Sequence, residues 1–129
     1  MFAPTPSLGS LSGIGDAVTA ALCDYTAIEG RTARRAYWLF MLFVTGAGLL
    51  TLLIDLGLWR SFSFTPLNAL FAFLMLIPTA TASVRRLHDV GRSGWWLGVA
   101  VVPLAGAAVL IYWTAQAGDA GGNDYGLPP

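Results

Sequence analysis

Three stretches of the chain, each at least 19 residues long, contain no charged side chain. They occupy residues 36–54, 61–84 and 93–117. An α-helix of 19 residues is about 28 Å long, close to the roughly 30 Å of hydrocarbon in a bilayer. Each stretch is therefore long enough to form a helix that crosses a membrane.

Composition separates this chain from soluble domains. Hydrophobic residues make up 56% of it and charged residues 11%, whereas soluble domains have about 45–50% and about 25%. The formal net charge is zero, so no overall electrostatic field favours nucleic acid, and no nucleic-acid partner is expected. Cys23 is the only cysteine, which excludes an internal disulfide.

These features predict an all-α integral membrane protein with three transmembrane helices. The spans are expected at about 36–56, 66–84 and 95–115. They belong to a single membrane domain over residues 14–117, in which Pro66 suits the first turn of the second span. The flanking segments 1–13 and 118–129 are rich in glycine and proline, and we expect a flexible tail and a polar C-terminal tail there.

An additional helix is predicted before the first span. Ile14, Val18 and Leu22 recur at a spacing of four, which places them on one face of a helix that Asp16 can cap. The opposite face is polar. We expect an N-terminal amphipathic helix that lies in the membrane interface.

Pro78 lies inside the second span and is expected to kink it, because proline cannot donate a backbone hydrogen bond. The hydroxyl groups of Thr79, Thr81 and Ser83 follow closely in the sequence. We expect them to satisfy the backbone groups that the proline leaves free.

The arginines predict an orientation. Six of the seven precede the first span or lie between the second and third, and only Arg60 lies between the first and second. Arginine is enriched in cytoplasmic loops of membrane proteins. We therefore expect a cytoplasmic N-terminus and a C-terminal tail on the outer side of the membrane.

The start of the first span combines arginines with aromatic residues, which are candidate interface anchors. One face of a continuous helix would carry Arg31, Arg34, Arg35 and Trp38, and Arg34 could stack over Trp38. Such guanidinium groups either bind lipid phosphates or only fix the topology and extend toward water. The anchors expected at the interface are Tyr37, Trp38, Trp95 and Trp96.

The densest polar stretch lies between the second and third spans. If the second helix continues through it, Arg85 would meet His88 and Asp89, and Arg86 would also reach Asp89. Gly91 is a candidate C-terminal glycine for this helix. The stretch is either a preformed anion site or a salt-bridged turn that holds the helices together. We refer to both polar stretches together as the arginine cluster: Arg31, Arg34, Arg35, Arg85, Arg86, His88, Asp89 and Arg92.

No pattern in the sequence predicts catalysis. The chain has one histidine and one cysteine, and no further ligand follows them at metal-binding spacing. It lacks a nucleophile elbow and a phosphate-binding glycine loop. We expect no metal, no cofactor, no catalytic residue and no enzymatic activity.

Several motifs nevertheless resemble a known family. The specific part is Arg85-Arg86-Leu87-His88-Asp89 followed by Gly91-Arg92-Ser93-Gly94-Trp95-Trp96, supported by Gly30-Arg31, Tyr37-Trp38 and the tail motif Tyr125-Gly126. Over about residues 20–129 the chain resembles the bacterial inner-membrane family called domain of unknown function 805. The resemblance implies an integral inner-membrane protein without an established activity. Ala36 departs from the family pattern, in which an acidic residue commonly precedes Tyr-Trp.

The leading functional hypothesis is a non-enzymatic membrane module whose arginine cluster engages anionic lipid headgroups or a membrane-protein partner. The alternative is a homo-oligomeric channel or small-solute transporter, in which Asn68, Thr79 and Thr81 line a path and the arginines lie at its cytoplasmic mouth. A membrane enzyme that acts on a phosphorylated lipid would need a second catalytic group beside His88.

Overall fold

The computed structural model describes residues 13–129, so the predicted flexible tail lies almost entirely outside the described residues. The described chain is helical, as predicted. Its elements are α1 (Ile14–Cys23), α2 (Arg34–Trp59), α3 (Pro66–Asp89), the 3₁₀ helix η1 (Gly94–Val101) and α4 (Ala105–Ala115).

Among residues 13–129, two helices are long and apolar enough to cross a membrane. Helix α2 has 26 residues and a mean hydropathy of 2.2, and α3 has 24 residues and a mean hydropathy of 1.7. At 1.5 Å per residue they are about 39 and 36 Å long. Both predicted spans, 36–56 and 66–84, fall inside them. Helix α3 begins at Pro66 as predicted and continues through the polar stretch to Asp89.

A buried carboxylate joins α2 to α3 at the short loop between them. Asp55 is in the last turns of α2, and its oxygens accept hydrogen bonds from the backbone N–H groups of Leu67 at 3.2 Å and Asn68 at 2.8 Å. These groups belong to the first turn of α3, where N–H groups have no helical partner and favour a negative charge. The Thr51 hydroxyl also donates to the Asn68 side-chain oxygen at 3.0 Å. The loop end of the helix pair is thereby fixed.

Pro78 interrupts the hydrogen bonds of α3, and the replacement donor comes from outside the helix. Because proline has no N–H, the carbonyl of Leu74, four residues earlier, loses its helical partner. The Tyr25 hydroxyl donates to this carbonyl at 2.8 Å. The hydroxyls of Thr81 and Ser83 donate to other carbonyls of α3. The prediction that neighbouring hydroxyls replace the lost bond is therefore wrong for the Leu74 carbonyl.

The substitution Tyr25→Phe tests this contact. It is expected to lower the free energy of unfolding by about 1–3 kcal/mol, because a carbonyl in an apolar environment loses its donor. Unfolding by dodecyl sulfate in mixed micelles measures the change. Tyr112→Phe is the matched control, since Tyr112 is 64% exposed. Equal stability of the two variants would contradict the assigned role of Tyr25.

Helix α1 packs against α2 and α3. Its small residues Ala17 and Ala21 are buried, and Ala21 contacts a core that includes Tyr37, Phe40 and Ala82. These contacts hold α1 against the two long helices. The predicted capping by Asp16 is wrong, because the N-cap residue is Gly13, three residues before it.

The predicted third span at 95–115 is not a continuous helix. It consists of the eight-residue η1 and the eleven-residue α4, separated by a turn in which Leu104 has φ 59° and ψ −60°. Gly106 permits the two helices to pack closely, because a Cβ atom there would lie 1.8 Å from the carbonyl oxygen of Val99. This turn divides the predicted span into two short helices.

The chain after α4 returns to the end of α3. The Asp119 N–H donates to the carbonyl of Asp89 at 2.8 Å, and the Asn123 amide donates to the carbonyl of His88 at 2.9 Å. The prediction that a membrane separates the tail 118–129 from the polar stretch is therefore wrong. We call the end of the molecule formed by the start of α2, the end of α3 and this tail the arginine face.

Candidate functional site

The centre of the arginine face is the C-terminal end of α3. Gly91 has φ +72°, and its N–H donates to the carbonyl of His88, while the Arg92 N–H donates to that of Leu87. This pair of hydrogen bonds is a Schellman motif, which explains the glycine. The predicted helix end at Gly91 is confirmed. Ser93 then caps η1, because its side chain accepts from the Trp95 N–H.

Asp89 joins two guanidinium groups, as the sequence predicted for this carboxylate, but with a different pair of partners. One oxygen pairs with Arg31 at 2.9 Å and the other with Arg86. The predicted contact with Arg85 is wrong, because the Arg85 side chain pairs with Asp24 at 2.8 Å. Asp24 lies at the end of α1, so the helix packing described above determines this pairing.

Arg31 holds the C-terminal tail. Its side chain is 1% exposed and donates to the carbonyl oxygens of Asp119 at 2.6 Å, Gly121 at 2.8 Å and Gly126 at 3.2 Å, in addition to Asp89. A guanidinium group has five N–H donors. Arg31 uses them within the protein and leaves little capacity for an external phosphate.

Arg86, like Arg31, is buried and donates its hydrogen bonds within the protein. Its side chain is 0% exposed, and it donates to the carbonyls of Thr114 at 2.9 Å and Thr32 at 3.3 Å, and to that of Gln116. These carbonyls come from the end of α4 and from the segment before α2. Arg86 therefore joins three parts of the chain at one point, and its role is structural.

The histidine is also engaged by the tail. The imidazole ring of His88 stacks on Tyr125 with 4.0 Å between ring centroids and 3° between planes. Its Nδ1 lies 3.0 Å from the carbonyl oxygen of Gly30. Sequence reasoning missed Tyr125 and Asn123 as members of this site, although Tyr125 belongs to the tail motif of the resemblance.

Within the arginine cluster, three arginines remain available for other partners. Arg35 is exposed and has no hydrogen bond or ion pair with the described residues. Arg34 is exposed and makes one bond, to the carbonyl of Ala115 at 3.3 Å. Arg92 stacks over the Trp113 ring at 4.1 Å from its centroid, and its N–H groups make no bond to a described side chain.

The predicted arrangement of the arginines near the start of α2 needs correction. Helix α2 begins at Arg34, so Arg31 does not share a helical face with Arg34, Arg35 and Trp38. Stacking of Arg34 over Trp38 is not observed, and the Trp38 ring N–H donates to the carbonyl of Thr114 at 3.2 Å. The extended backbone before α2 allows Arg31 to turn toward Asp89.

The aromatic anchors divide into two groups. Trp38, Trp95 and Trp96 have exposed rings, and Trp95 is 93% exposed. Tyr37 is 8% exposed, and its hydroxyl lies 3.3 Å from that of Ser83. The prediction of Tyr37 as an interface anchor is therefore wrong, because it belongs to the core between α2 and α3.

A small cavity of about 260 Å³ opens on the arginine face at the start of α2. The residues that line it include Arg34, Asp89 and Asp119. Within residues 13–129 no three histidine, cysteine or acidic side chains lie close enough to hold a metal ion. The charged groups of the arginine face form ion pairs and hydrogen bonds.

Comparison with known proteins assigns this arrangement to a family. The family model described as "Protein of unknown function (DUF805)" matches residues 25–127. The chain belongs to the DUF805 family. It is 34% identical over 112 residues to the inner membrane protein YhaH of Escherichia coli strain K12, covering 84% of this chain and 91% of YhaH. It is 33% identical over 112 residues to the inner membrane protein YhaI of the same organism, covering 85% and 92%.

The family assignment agrees with the sequence prediction and with the long apolar helices. This DUF805 protein is a membrane protein of the bacterial inner-membrane type. The matched region extends from Tyr25 to Leu127 and so includes both Arg31 and the tail that it binds. No solved structure matches the chain.

Proposed function

We propose that this protein is a non-enzymatic module of the inner membrane that engages anionic lipid headgroups through Arg34, Arg35 and Arg92. The observation that carries the proposal is the division of the arginines into two groups. Arg31 and Arg86 are committed to Asp89 and to backbone carbonyls. Arg85 is paired with Asp24, whereas Arg34, Arg35 and Arg92 keep donors free.

The start of α2 favours a phosphate for a further reason. Its N-cap residue, Ala33, provides no side-chain hydrogen bond, so N–H groups of the first turn are open to an external acceptor. These groups carry the positive end of the helix dipole, which stabilises anions. Arg34 and Arg35 are the first two residues of the same helix.

The arginine face also gives the proposed orientation. Six of the seven arginines lie on it, and Arg60 lies in the loop at the opposite end. The positive-inside rule counts basic residues near the spans. We infer that the arginine face is cytoplasmic and that both the N-terminus and the C-terminal tail lie on that side.

Native mass spectrometry with added phosphatidylglycerol tests the lipid proposal. The double variant Arg34→Gln, Arg35→Gln is expected to bind this lipid about thirtyfold more weakly, because each arginine contributes about 1 kcal/mol near an anionic surface. Neutral phosphatidylethanolamine should bind equally to both proteins. Arg60→Gln removes a similar charge at the opposite end and should leave the affinity unchanged.

The same experiment distinguishes the competing explanations. Unchanged phosphatidylglycerol affinity in the double variant would overturn the proposal. Loss of a copurifying membrane protein, with lipid binding unaffected, would favour a protein partner. Of the groups predicted to line a channel, Asn68 and Thr81 are hydrogen-bonded within the protein. The channel remains a prediction that requires a stable ring of subunits.

A further inference from the structure

We propose that Gly94–Ala115, comprising η1 and α4, forms a re-entrant hairpin whose apolar surface contacts the acyl chains of one leaflet. The hairpin enters the bilayer from the arginine face and returns to the same face. Its partner is the hydrocarbon of that leaflet. The chain then crosses the membrane only twice, through α2 and α3.

The lengths of the two helices support this inference. Helix η1 has eight residues, and at 2.0 Å per residue it is about 16 Å long. Helix α4 has eleven residues, which at 1.5 Å per residue is also about 16 Å. Each is about half of the roughly 30 Å thickness of bilayer hydrocarbon. Two equal legs of this length reach the middle of the bilayer.

Both ends of the hairpin are held at the arginine face. At its start, Arg92 stacks over Trp113, which lies near the end of α4. At its end, the carbonyl of Thr114 accepts from Arg86 and from the Trp38 ring. Because these contacts join both ends to the end of α3, α4 cannot emerge on the opposite side.

The turn between the legs is apolar, and three of its backbone N–H groups are hydrogen-bonded within it. Val101 is 85% exposed and Leu104 is 87% exposed, and no charged residue occurs between Ser93 and Ala117. Backbone N–H groups buried in lipid need partners inside the protein. Those of Val102, Ala105 and Gly106 donate to carbonyls of the same turn, at 2.7–3.0 Å.

Cysteine labelling tests the proposed path. In a Cys23→Ser background, Ser63→Cys marks the α2–α3 loop and Asp124→Cys marks the tail. An impermeant maleimide applied to intact and lysed spheroplasts should label these positions from opposite sides of the membrane. This result is expected whichever face is cytoplasmic, so the test is independent of the proposed orientation. Labelling of both from the same side would show three crossings and overturn the proposal.

The depth of the hairpin in the bilayer is measured with a spin label at its tip. The label is attached to Val101→Cys in the purified protein, which is reconstituted in lipid vesicles. The label should collide frequently with oxygen and rarely with a water-soluble nickel complex. Frequent collisions with nickel would show that the hairpin lies on the surface. Few collisions with either would show that protein covers the tip. Both results would contradict insertion among acyl chains.

Discussion

Replacing Asp89 by alanine is expected to lower the free energy of unfolding by about 3–5 kcal/mol, the range for removing one partner of a buried ion pair. The Asp89 side chain is 5% exposed, and it pairs with Arg31 and Arg86, which are even more buried. Without the carboxylate, two guanidinium groups would remain buried beside each other with only carbonyl partners. Denaturation by dodecyl sulfate in mixed micelles measures the loss.

Asp124→Ala is the matched control for this substitution. It removes the same charged group from an exposed position in the tail, and its expected effect is within about 0.5 kcal/mol. If Asp89→Ala proved as stable as Asp124→Ala, the ion pairs would not hold the arginine face together. The face would then have to be explained by packing alone.

A methyl group at Gly106 should be nearly as damaging. The added Cβ would lie 1.8 Å from the carbonyl oxygen of Val99 and 2.8 Å from its carbon. Because the obstructing atoms belong to the backbone, η1 and α4 must separate. We expect Gly106→Ala to lower the free energy of unfolding by about 3 kcal/mol, the upper part of the usual range for overpacking.

Gly98→Ala provides the comparison within the same hairpin. A Cβ at Gly98 meets no atom within 4 Å, so this substitution should cause little change in stability. Thermal unfolding of both variants in the same detergent compares them directly. Equal melting temperatures would mean that the two legs do not pack as closely as described.

The parts of the fold that were predicted correctly have local signals in the sequence. The first two uncharged stretches predicted the membrane-length helices α2 and α3, because length and the absence of charge are sufficient for that inference. Gly91 predicted the end of α3, since a left-handed residue there favours glycine. Asp89 was recognised as a carboxylate within reach of two arginines.

Local sequence signals do not determine the structure of the third uncharged stretch. Its length and composition suit a complete span as well as they suit two half-length legs. The deciding feature is the turn at Leu104, a residue with no sequence preference for its positive φ. Pro103 lies directly before this turn, but a proline alone does not show that the chain reverses there. Its return depends on contacts at the arginine face.

The partners of the arginines were hidden for a different reason. Arg31 and Arg86 bind mainly backbone carbonyls of distant segments. Because every residue has a backbone carbonyl, the sequence does not show which of them accept these bonds. Arg85 and Asp24 are 61 residues apart, so their pairing depends on how α1 packs. Asp55 ends the first uncharged stretch in the sequence, and its role appears only when α3 is placed beside it.

These contacts change what the arginine cluster means for function. Sequence alone treats its arginines as equivalent, whereas the structure assigns Arg31 and Arg86 to the architecture. Their substitution should therefore impair folding before it affects any ligand. A test of function requires Arg34, Arg35 and Arg92, whose loss leaves the buried ion pairs intact.

The central claim is that the C-terminal tail lies against the end of α3. Its most direct test is crosslinking of the tail to the end of α3 in native membranes. In a Cys23→Ser background, the pair His88→Cys and Tyr125→Cys replaces rings whose centroids are 4.0 Å apart. A short bifunctional thiol reagent should join them within one chain. The pair Ser63→Cys and Tyr125→Cys should remain unlinked. Crosslinking of the Ser63 pair, with none in the His88 pair, would place the tail at the opposite end and contradict this account.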